Sequence, residues 1–127
     1  MSKANEERVD PPGRVLVVDS DQASRSMLED AVRDLGHEVV ARASSHDAIA
    51  ALDGLRFDVV ILGIEEPQAD AVRLARWIRS EPRGVDLIVV TDPSVVSVAE
   101  AKRLGAFDIL TKPLEDPALV TASIDRV

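Results

Sequence analysis

The chain has 127 residues, enough for one domain with its own core, and 46% of them are hydrophobic and 30% charged. The absence of cysteine excludes a disulfide framework, a thiolate metal site and a cysteine nucleophile. A net charge of −8 argues against binding of nucleic acid, and no apolar run approaches the roughly 18 residues of a membrane span.

Residues 1–13 are polar and end in Pro11-Pro12-Gly13, the composition of a poorly ordered tail. The folded domain is therefore expected over 14–127. The polar start is no signal peptide, and together with the lack of cysteine it points to a cytoplasmic protein. With one tryptophan and two phenylalanines, the core has to be aliphatic.

Val15-Leu16-Val17-Val18 reads as a short buried strand that ends on Asp19. Ser20 and Asp21 offer cap chemistry for a first helix carrying Ala23, Met27, Leu28, Ala31, Val32 and Leu35, with Gly36 as its stop. A second strand follows over His37–Ala43. Ser44 or Ser45 caps a helix containing Ala48, Ile49 and Leu52 that ends near Gly54.

Val59 to Ile64 is apolar at every position except Gly63, the pattern of a central strand covered on both faces. A third helix is expected from about Asp70 to Ser80, with Val72, Leu74, Ala75 and Ile78 inward and Trp77 beside the apolar stripe. Trp77 is thus either a packing edge or a candidate interface anchor. His37 and His46 have no ligand-spaced partners and read as surface residues. Val85 to Thr91 forms the fourth strand. Asp92-Pro93 reads as the cap and first position of a fourth helix that runs to Gly105. Ala106 to Thr111 is the fifth strand, followed by Lys112-Pro113 and a last helix from Glu115 or Asp116 to the end of the chain.

Five alternations of strand and helix predict an α/β domain, a doubly wound parallel sheet with helices on both faces. In such a sheet, ligands sit outside the carboxyl ends of the strands. Those ends carry Asp19, Ser20, Gly63, Thr91 and Lys112. In a flavodoxin-like (βα)5 order of 2-1-3-4-5 these positions converge.

Several stretches carry a resemblance to a known family. They are Val15 to Asp21 with Arg25, Gly36 to Val39, Phe57 to Pro67 with Asp70, Thr91, and above all Gly105-Ala106-Phe107-Asp108-Ile109-Leu110-Thr111-Lys112-Pro113. From Arg14 to Val127 the sequence resembles the receiver domain of bacterial two-component response regulators. The resemblance implies phosphoryl transfer from a kinase histidine to an aspartate ending the third strand. It also implies acids after the first strand that hold Mg²⁺, a threonine and a lysine that contact the phosphoryl oxygens, and an aromatic switch residue on the fifth strand.

Against that pattern Asp19, Thr91 and Lys112 match. Gly63 stands at the acceptor, Ser20 at the second acid and Ile109 at the aromatic switch. Asp58 lies at the other end of the third strand, about 16 Å away at strand rise, and cannot substitute. A lone acid with a serine is a poor site for a hard ion such as Mg²⁺, so metal binding is expected to be weak or absent. Lys112 is expected to pair with Asp19 or Asp92, giving a pocket charge of zero. Glu65 and Glu66 read as a solvated loop. Asp19 as a simple cap and Thr91 as a plain strand end are the blander alternatives, and a Ser20–Lys112 nucleophilic dyad lacks any signalled oxyanion hole.

The resulting expectation is a pseudo-receiver, a phosphorylation-independent protein-interaction module and not an enzyme. Its partners would be a signalling protein or an output domain, with the face of the fourth helix, fifth strand and fifth helix as a candidate homodimer surface. A receiver that answers phosphoryl groups by a non-standard route, through another residue or a small anion bound near Thr91 and Lys112, is one alternative. An unrelated flavodoxin-like enzyme or nucleotide binder is another, but the sequence has no phosphate-binding glycine loop after a strand. The chain ends inside its expected last helix and reads as a possible piece of a longer protein.

Overall fold

The computed structural model describes residues 13–65, 69–81, 84–114 and 116–126. The expected tail over 1–13 lies outside them apart from Gly13. The strands are β1 (Arg14–Val18), β2 (Glu38–Arg42), β3 (Val59–Ile64), β4 (Asp86–Thr91) and β5 (Ala106–Thr111). The helices are α1 (Gln22–Asp34), α2 (Ser45–Gly54), α3 (Ala69–Arg79), α4 (Val98–Arg103) and α5 (Pro117–Asp125). The strands form one parallel sheet in the order β2-β1-β3-β4-β5, the flavodoxin-like arrangement.

The sheet divides the core into two aliphatic layers. Val60, Leu62 and Ile64 point toward α2, α3 and α4, where they meet Ala48, Leu52, Leu74, Ile78 and Ala101. Val59 and Ile61 alternate to the other face, with Val15, Val17 and Ile88, under Leu28 and Val32 of α1 and Val120 and Ile124 of α5. That double burial is why β3 reads as an unbroken apolar run.

Local chemistry sets most helix ends. The side chains of Asp21, Ser44 and Asp116 accept from backbone N–H groups in the first turns of α1, α2 and α5. Gly36 follows α1 at φ 91°, where a side chain would be strained.

Three expectations are corrected. The fourth helix does not open at Asp92-Pro93. Asp92 accepts from Ser94 N and Ser94 Oγ, each at 2.8 Å, and residues 92–96 form turns. The helix starts at Val98 because Ser97 and Glu100 make a reciprocal capping box, which satisfies two terminal donors at once. Ala23 is exposed on the outer side of α1. His37 is half-buried, and its Nδ1 accepts from Gly13 N at 2.9 Å, pinning the entry into β1.

Candidate functional site at the carboxyl edge of the sheet

Parallel register brings Asp19 and Gly63 together. Val18 pairs with Leu62, so the next residue of each strand, Asp19 and Gly63, are neighbours on the same face. The Asp19 carboxyl group leans across the Gly63 backbone. A Cβ on Gly63 would lie 2.5 Å from Asp19 Cγ and 3.1 Å from Asp19 Cβ, with Oδ2 nearer still. The space that any other residue at 63 would use is filled by Asp19.

Asp19 is fully buried. Its Oδ1 accepts from Asp21 N at 3.0 Å and from Lys112 Nζ at 3.2 Å. Lys112 Nζ is also 2.9 Å from Oδ2, but at an angle that makes no hydrogen bond, so Oδ2 is held by charge alone. The Arg25 guanidinium donates to the Asp19 carbonyl at 2.9 Å, and Asp19 N donates to Arg42 O at 3.1 Å. These contacts fix the residue from four sides.

Lys112 leaves β5 where Lys112 N donates to Thr91 O at 3.0 Å, and a cis bond joins it to Pro113. Its ammonium bridges Asp19 and Glu65. Asp92, the alternative partner foreseen from sequence, is turned to Ser94. Glu65 is therefore the residue that sequence reasoning missed. It leaves β3 two residues after Gly63, at the edge where Lys112 is the buried cation. Two carboxylates against one ammonium leave the cluster at a formal −1, not zero. Burial pulls the Lys112 ammonium toward neutrality, but its contacts with Glu65 and Asp19 outweigh this and hold its pKa above the ordinary lysine value.

The remaining positions behave differently. Ser20 is exposed. Thr91 is buried, and its hydroxyl donates to Ile64 O at 2.9 Å, tying β4 to the end of β3. Ile109 is half-buried and packs on the core, away from the Asp19 cluster. Trp77 is half-buried against the same layer and borders a groove with Ile49 and Ala50 of α2. Glu66 lies outside the described residues. Among the described residues no three His, Cys, Asp or Glu side chains are grouped as metal ligands.

At the opposite, amino-terminal end of the strands, β5 carries a bulge. Leu87 pairs with Ala106 and Ile88 with Asp108, which leaves Phe107 out of the ladder and its ring exposed. Val98 on α4 and Leu119 on α5 are also exposed apolar residues.

The response regulator receiver domain matches across residues 15–124. The chain is 31% identical over 104 residues to the Regulator of RpoS of Escherichia coli, covering 81% of this chain and 31% of that protein. It is 32% identical over 114 residues to the transcriptional regulatory protein FixJ of Bradyrhizobium diazoefficiens, covering 89% of this chain and 55% of that one. The chain thus spans only part of the curated relatives it matches. Among solved structures it is similar to the chemotaxis response regulator CheY4 of Vibrio cholerae, with TM-score 0.78, 26% identity, and coverage of 91% of this chain and 98% of that one.

Proposed function

Because the chain belongs to the response regulator receiver domain family, we propose that it is a pseudo-receiver, a signalling module that works by holding a protein partner and without accepting a phosphoryl group. One observation carries this. The buried Asp19 carboxylate lies over Gly63, where an acceptor side chain would stand, and is itself bound by Lys112. The chemistry of phosphoryl transfer needs a nucleophile, a metal and a cation that can reach the transferring group, all at one point. Here the nucleophile position has no side chain, and the cation is already bridged by two carboxylates.

The donor set does not fit the Mg²⁺ of the family. Asp19 is paired and buried, Ser20 adds an exposed hydroxyl, and Glu65 is drawn onto Lys112. A small doubly charged ion that dehydrates reluctantly favours carboxylate ligands it can reach. The proposed module therefore works without Mg²⁺.

Its partner is a protein, either a signalling protein, an output domain or a second copy of the chain. The candidate contact face runs over α4, β5 and α5, where Val98, Phe107 and Leu119 put apolar surface in solvent. No helix among the described residues is long and apolar enough to cross a membrane. A cytoplasmic setting fits the cysteine-free sequence.

The test is an intact-mass assay with a small phosphodonor and Mg²⁺, run beside a receiver with a complete pocket. The expected result is an unmodified mass for this chain and an adduct on the control. A phosphoryl adduct mapped to Asp19, Ser20 or Glu65 would overturn the proposal and make the domain a receiver with a displaced acceptor.

A further inference from the structure

A cleft of about 400 Å³ opens at the carboxyl edge between Asp21, Ser24, Glu65, Asp92, Val95 and Lys112. Lys112 is the cation on its wall, with its side chain 11% exposed. Two anions hold that cation from different sides. Asp19 approaches from within and is inaccessible, whereas Glu65 is 41% exposed and reaches Lys112 from the loop after β3. Glu65 is therefore the one of the two that a solvent-borne anion would have to displace.

Resting on the reading above, we infer that Glu65 is a built-in anion that closes the Lys112 site against phosphate and phosphodonors. The physical reason is occupancy together with charge. A phosphate arriving at Lys112 meets an ammonium already bonded to Glu65 and Asp19, and it meets the negative charge of both. Removing only the Glu65 charge frees one side of the ammonium and leaves Asp19 as the one carboxylate in contact with it. The site then becomes a weak but real anion site. Asp21 and Asp92 line the same cleft and keep their negative charge, but they are held by Ser24 and Ser94 and do not contact Lys112, so they weaken the opened site without occupying it.

The experiment titrates inorganic phosphate at neutral pH into the chain and into its Glu65→Gln and Glu65→Ala variants, following backbone amide shifts of Ser20, Thr91 and Lys112. The expected result is a saturable response in both variants at about tenfold lower phosphate than in the parent chain. Adding Lys112→Met to Glu65→Gln should abolish it. Superimposable curves for parent and variants would overturn the inference, and so would a response that survives Lys112→Met. The outcome is separable from the proposed function, which is read on the parent chain. If the variants fail to bind phosphate while the parent stays unlabelled by phosphodonors, the closure falls and the interaction module stands.

Discussion

The carboxylate of Asp19 occupies the volume that a side chain on Gly63 would need. Two strand ends that meet through register have thus been resolved in favour of one of them. Gly63→Ala should force the buried, ion-paired Asp19 to move, at a cost of about 1–3 kcal/mol. Chemical denaturation of Gly63→Ala, Asp19→Ala and the double variant would check this. The double variant should lose less than the two single changes added together, because the clash is then absent.

An aspartate introduced at position 63 should not by itself confer phosphorylation. Gly63→Asp brings a second carboxyl into space held by Asp19, and Ser20 still leaves a metal one acid short. The variant should remain unlabelled by a small phosphodonor with Mg²⁺. Robust labelling in an intact-mass assay would contradict both steps of that reasoning.

Lys112→Met should be among the most damaging single changes at this edge. It leaves Asp19 charged and fully buried without its cation, for which about 3 kcal/mol is the expected loss. The pH dependence has a definite sign. The folded-state pKa of Lys112 is raised above an ordinary lysine value near 10.5. Its contribution to stability is fully present below that value and is lost as pH rises through the folded pKa. Denaturation midpoints of the parent should fall at alkaline pH, and Lys112→Met should remove this part of the fall.

Thr91→Val keeps the shape of the strand end but removes the hydroxyl that donates to Ile64 O. The expected cost is about 1 kcal/mol, with faster hydrogen exchange where β3 and β4 end. A variant as stable as the parent would show that this bond contributes nothing net.

Phe107→Glu should separate folding from association. The ring sits on a bulge and is 46% exposed, so stability should change by no more than about 0.5 kcal/mol. If the α4-β5-α5 face joins two copies, sedimentation of the variant should show a shift toward monomer relative to the parent. An unchanged distribution from a self-associating parent would place the contact elsewhere.

Much of the molecule was legible in the sequence because the signals are local. Alternating apolar runs and helical stripes gave the element order, and Asp21, Ser44 and Asp116 act as caps within a few residues of their own position. The strand ends Asp19, Gly63, Thr91 and Lys112 could be listed together because a parallel sheet gathers them. The start of α4 was misplaced because two local signals competed. Asp92-Pro93 offers a single capping acceptor, whereas Ser97 and Glu100 close a reciprocal box.

Tertiary structure alone decided between the partners open to Lys112. Asp92 is two residues from Ser94 and is used up there, while Glu65 reaches Lys112 across 47 positions of chain. Gly13 finds His37 in the same way. Such choices depend on where loops close above or below the sheet, and neither periodicity nor capping records that. The sequence determined that position 63 carries no side chain. Only the packing of β1 against β3 determined that Asp19 fills the space.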